Sequence, residues 1–167
     1  KNHLLISLVF FFWILHLPTW SQMQLPQKST VQHNDASRPC IRAIVHPEPK
    51  PLKKAWKDYL KETHDFKIRG IGFLSNKDLL SAEKVVVERI SKKEMDFYTK
   101  IVGHEEGSEM KVFAAYGYDI YIGPEKKPRE FAVLKRTTLN FLQNYLPKYH
   151  EDLIKGTEKK IKELENE

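Results

Sequence analysis

Apolar residues crowd the start of the chain and then settle into periodic patterns. Lys1, Asn2 and His3 form a short, mildly basic head, and Leu4 to Leu17 is almost wholly apolar, a run of fourteen residues ended by Pro18. Thr19-Trp20-Ser21 follows, with a small residue where a signal peptidase would cut. Basic head, apolar body and cleavage-like end are the three parts of a secretory signal, expected over residues 1–21. The rival expectation is an uncleaved signal-anchor, although a spanning helix needs about twenty apolar residues and this run is shorter. Residues 22–51 are polar, with Pro47, Pro49 and Pro51 alternating with other residues. Each proline pushes its predecessor out of the helical region, so a flexible linker ending in a short extended rod is expected.

Residues 52–167 carry the periodicity of one folded domain. Leu52, Ala55, Trp56, Tyr59 and Leu60 fall on one face of a helix over Leu52–His64. Phe66–Leu74 alternates like a strand, loosened by Gly70 and Gly72. Ser75-Asn76-Lys77-Asp78 resembles a helix cap, and Leu79, Ala82, Val86 and Ile90 supply a buried helical stripe after it. The β-branched Val85-Val86-Val87 keeps a strand open as the alternative there. Ser91-Lys92-Lys93-Glu94 reads as a second capping box, opening a short helix with Met95, Tyr98, Ile101 and Val102 inward. Met110–Ile122 is the strongest strand region, bent or turned at Gly117. Phe131, Leu134, Thr138, Phe141, Leu142 and Tyr145 keep helical spacing between Pro128 and Pro147, and a last helix from Pro147 carries His150, Leu153, Ile154, Ile161 and Leu164. The summed expectation is an α+β fold, a small antiparallel sheet packed with four or five helices.

Composition narrows the partners. The chain has 167 residues, 30% of them charged, with a formal net charge of +6. That balance favours anionic surfaces and acidic partners, and is too mild to point to nucleic acid. Cys40 is the single cysteine, so no internal disulfide can form. In an exposed tail it would be a free thiol or half of a bridge to a partner chain.

Catalytic patterns are sparse. The chain has no Gly-x-Ser-x-Gly elbow, phosphate-binding loop or His-Glu-x-x-His helix. The polar loop His104–Glu109 holds nitrogen and oxygen donors, but in the spacing of no familiar metal site and most simply as a solvated turn. No cofactor is implied. The residues favoured for binding are Lys126, Lys127, Arg129, Lys135 and Arg136, since lysine and the arginine fork take oxyanions on sulfated glycans or acidic lipid heads. The reading that follows is a secreted or membrane-tethered, non-enzymatic binding module whose partner is an acidic protein, a glycan or an anionic membrane surface. The alternatives are an exported hydrolase with a site assembled from dispersed residues such as His104, Glu105 and His150, and a membrane-anchored accessory subunit.

Overall fold

The computed structural model describes residues 25–68, 78–117 and 119–166. The expected leader over 1–21, most of the strand expected over Phe66–Leu74, and the cap at Ser75–Lys77 lie outside the described residues. In chain order the elements are β1 (Gln27–His33), β2 (Ala36–Val45), α1 (Pro49–His64), β3 (Leu79–Val87), β4 (Ser91–His104), β5 (Gly107–Ala115), α2 (Pro128–Asn140), a π-helical turn (Phe141–Tyr145) and α3 (Leu146–Glu165). The last three run on without a break as one long C-terminal helix. The strands form a single antiparallel sheet in the order β1-β2-β5-β4-β3. The expectation of four or five helices around a small sheet is therefore corrected. Among the described residues, a five-stranded sheet carries α1 and the C-terminal helix.

Two stretches account for the change. The first is residues 22–51, expected as a linker, which contain the β1–β2 hairpin. Its turn is Asn34-Asp35, both at positive φ, a conformation these short polar residues tolerate. The prolines after it begin a helix instead of a rod. Pro49 and Pro51 lie in the first turn of α1, where backbone N–H groups have no partner inside the helix and their loss costs nothing. The second is residues 79–104, expected as two helices, which form β3 and β4. In β4 the buried residues are Met95, Phe97, Thr99 and Ile101, a period of two. The apparent capping serine, Ser91, instead accepts a hydrogen bond from the Lys93 N–H at 3.0 Å beside the hairpin turn. The β-branched run Val85–Val87 ends a strand, after a bulge at which Lys84 takes positive φ.

Register sorts the residues of the sheet into two faces. Ile41 pairs with Val112, and Thr99 with Val112 on the other side, so Ile41, Ala43, Val45, Met110, Val112, Ala114, Phe97, Thr99 and Ile101 share one face. The helices cover that face with the two stripes expected from the sequence: Leu52, Ala55, Trp56, Tyr59 and Leu60 from α1, and Phe131, Leu134, Thr138, Phe141 and Leu142 from the C-terminal helix. Trp56 is fully buried where the layers meet. Its indole stacks on Tyr59 at 5.3 Å and meets the Phe141 ring edge-on at 4.7 Å. Its Nε1–H donates to Thr99 Oγ1 at 2.8 Å.

The C-terminal helix passes through Pro147 without stopping. A proline inside a helix cannot donate to the carbonyl four residues back, and its ring collides with that carbonyl. The π turn just before it relieves the collision, with the Leu146 N–H bonding to Phe141 O, five residues back. Beyond His150 the helix leaves the sheet, and Leu153, Ile154, Ile161 and Leu164 are exposed.

Thr99→Val keeps the shape of the side chain and removes the acceptor of the Trp56 indole. Urea unfolding should show a loss of about 1–3 kcal/mol, the cost of a buried donor left without a partner. Trp56→Ala should cost more, about 3–5 kcal/mol.

Candidate functional site

The basic residues singled out in the sequence gather around the start of the C-terminal helix. After β5 the chain turns at Gly117, where φ is +82°, and Tyr121 returns to make a single antiparallel bridge with Ala115. The turn Pro124–Lys126 then leads into α2, with the Lys127 N–H bonded to Gly123 O at 2.8 Å. Gly123 is required here, because a Cβ would lie 2.8 Å from the Pro39 ring of β2. This close approach fixes the basic turn against the sheet.

Lys126 is exposed on the turn, Lys127 precedes the first helical residue, and Arg129 is exposed in the first turn of α2. The Lys127 ammonium lies 5.9 Å from the centre of the Tyr116 ring. Arg136 follows Arg129 by seven residues, so the two share a helix face about 10 Å apart along the axis. Lys135 is set about 120° around the helix from Arg129 and points elsewhere. The structure thus brings together Lys126, Lys127, Arg129 and Arg136, and separates Lys135. None of the five side chains makes an ion pair or a hydrogen bond with a described residue. Beside them a cavity of about 460 Å³ is lined by Lys126, Arg38, Tyr121 and Glu125. Its other charges are already matched, with Arg38 paired to Asp119 at 2.9 Å and Glu125 to Lys28 at 3.7 Å.

Cys40 is not in an accessible tail. It sits in β2 on the sheet face turned away from the helices, fully buried with Val31, Phe113, Ala115 and Tyr121. Burial pushes its thiol up to about 11, against the opposing pull of Lys111 and the nearby Arg42. A thiol held protonated and out of solvent is a poor partner for an intermolecular disulfide. His33 lies over the same cluster, 4.7 Å from the Tyr98 ring and 5.1 Å from Phe113. Farther along this face Arg42 and Lys111 both bind the Glu109 carboxylate. Partial burial works against the charge on Glu109, but those two hydrogen bonds hold it below the usual carboxylate range.

The loop at His104–Glu109 is a tight β4–β5 hairpin, with the Glu106 N–H donating to His104 Nδ1 at 3.2 Å. No group of three or more His, Cys, Asp or Glu side chains able to hold a metal ion occurs among the described residues. Nor, among them, is any helix long and apolar enough to cross a membrane.

A second concavity, of about 570 Å³, lies between the end of α1 and the π turn. Sequence reading missed it, because its residues come from positions 59–64, 89 and 137–152, which only the fold unites. The one signal in the sequence was Pro147 inside an otherwise continuous helical pattern. His64 lines this groove, ringed by Tyr59 and Phe66, and its Nε2 is buried without a hydrogen-bond partner. Burial, then the Arg89 charge, holds its pKa below the ordinary histidine value.

No protein-family model, curated protein or solved structure matches this chain.

Two outcomes follow from these environments. Cys40 should resist a thiol-labelling reagent at pH 8 in the native protein and react fully in urea; rapid native labelling would contradict its burial. Stability should also fall with pH below neutrality. His33 and His64 both have lowered pKa values in the fold, so the unfolded chain binds protons first. Their contribution is present above the ordinary value of 6.5 and is lost as pH drops below it. Thermal midpoints recorded from pH 7 to pH 5 should decline, and less steeply in a His33→Gln/His64→Gln variant.

Proposed function

We propose that this chain is an exported, non-enzymatic binding module that holds oxyanion-bearing ligands, such as sulfated glycans or acidic lipid headgroups, at the basic start of its C-terminal helix. The observation that supports this reading is that Lys126, Lys127, Arg129 and Arg136 crowd one region with no described acid paired to any of them. Some lysines elsewhere are matched, Lys53 with Asp78, Lys54 with Asp58 and Lys155 with Glu151, whereas here four cations gather in one region. Cations at this end of a helix also add to the positive pole of its dipole, which favours acids and disfavours lysine by about 0.3–1 kcal/mol per charge. A cluster that costs the fold energy and has no acidic partner among the described residues is suited to an external anion. Export rests on the secretory pattern of residues 1–21, and tethering through the same segment is the variant of this reading.

Retention on immobilised heparin should be strong at low salt and fall as salt rises, because exposed charges are screened within about 10 Å at 0.1 M. The triple variant K126Q/K127Q/R129Q should lose most of that retention while unfolding at the same or a slightly higher temperature. Vesicles of anionic lipid, run in parallel, separate the lipid source from the glycan source. Retention that survives the triple change would sink the assignment to this patch.

A further inference from the structure

The groove between α1 and the π turn has the makings of a ligand site separate from the basic helix start. Its volume of about 570 Å³ lies within the range of small-molecule sites. Tyr59 forms the buried floor, and half-buried Tyr145 and Tyr149 form a wall. Asn140 and Asn144, one turn apart, line it with side-chain amides that make no hydrogen bond to a described residue. Arg89 at the β3–β4 turn and Lys148 on α3 line it as well, and neither is paired with a described acid. Glu62 and Asp152 complete the lining.

These groups select among ligands. Two cations and two carboxylates sum to no net charge, so a polyanion would meet repulsion at Glu62 and Asp152. A single acid group would be met by Arg89 and Lys148. Carboxylates and amides around tyrosine rings suit a compact body with many hydroxyls and apolar C–H edges. His64 Nε2 adds a buried group that still lacks a partner. We infer that this groove binds an acidic saccharide, a sugar unit carrying one carboxylate. The inference does not rest on the anion-binding patch at the helix start.

The test is titration of the full chain with a glucuronate-containing disaccharide and with the neutral glucose disaccharide of the same linkage, followed by amide NMR shifts and calorimetry. The acidic sugar should shift the signals of His64, Arg89, Asn140 and Asn144, and should bind about tenfold or more tightly than the neutral one, a difference of about 1.4 kcal/mol. R89Q/K148Q, changed at exposed positions that support no packing, should erase that preference. K126Q/K127Q/R129Q should leave it unchanged, so failure here is distinguishable from failure of the proposed function. Three outcomes would overturn the inference: no shifts in the groove, equal binding of both sugars, or shifts confined to residues 126–129. A response to free glycine as large as that to the uronate would also overturn it, since the groove would then be reading a zwitterion.

Discussion

Trp56 is the point at which α1, the C-terminal helix and the sheet touch, and the fold depends on that one indole. It reaches the sheet twice, through its bond to Thr99 and through the Phe97 ring 6.4 Å away. It reaches the C-terminal helix through Phe141. Each aromatic pair is worth about 0.5–1.5 kcal/mol beyond simple burial, and the network here also includes Tyr59 and Tyr145. The hydrogen bond contributes less than the packing, but it imposes geometry. A buried N–H with a single acceptor cannot slide, so the register of α1 on β4 is set by where Thr99 falls in the strand.

That register carries through to the groove. With Trp56 fixed, the last turn of α1 and His64 have one position on the sheet. The chain leaves α1 through Asp65, in the left-handed conformation at φ 54°, and the Phe66 N–H returns to Leu60 O. The opposite wall is placed by Pro147, whose missing donor converts one turn of the C-terminal helix to i→i−5 bonding. The helix continues because the hydrophobic stripe leading up to the proline is held by the core through Phe141, Leu142 and Leu146, with partly buried Tyr149 packed against it beyond. The cavity is a by-product of two local backbone rules, a helix ending at a non-glycine residue and a helix surviving a proline.

The helix faces were legible in the sequence, and most of the sheet was not. The apolar stripes of α1 and α2 could be read because a period near 3.6, sustained over a dozen residues, fits a helix and not a strand. Residues 79–104 misled because Leu79, Ala82, Val86 and Ile90 satisfy helical spacing by coincidence, while the true β3 pattern is broken by the bulge near Lys84. A bulge shifts the alternation by one and erases the period-two signal. The β1–β2 hairpin was hidden differently. β1 is an edge strand with mostly exposed residues, and Pro39 lies in β2. Polarity and proline together imitate a linker. The same error misplaced Cys40, whose environment is supplied by Phe113 and Tyr121, more than seventy residues away.

The basic cluster shows where local reading stops. Sequence proximity put Lys135 and Arg136 together, and helical geometry separates them, since adjacent residues project about 100° apart. What the sequence could not supply was the absence of paired acids around the remaining four. Glu125, the nearest acid in the chain to Lys126, reaches toward Lys28 of β1 instead. Glu130 is the sole acid in the first turn of α2, too little to neutralise the cations around it. A net charge of +6 on its own says only that the surface is basic on balance. The fold gives part of that surplus a place, by gathering Lys126, Lys127 and Arg129 at the positive end of its longest helix, with Arg136 two turns along the same face.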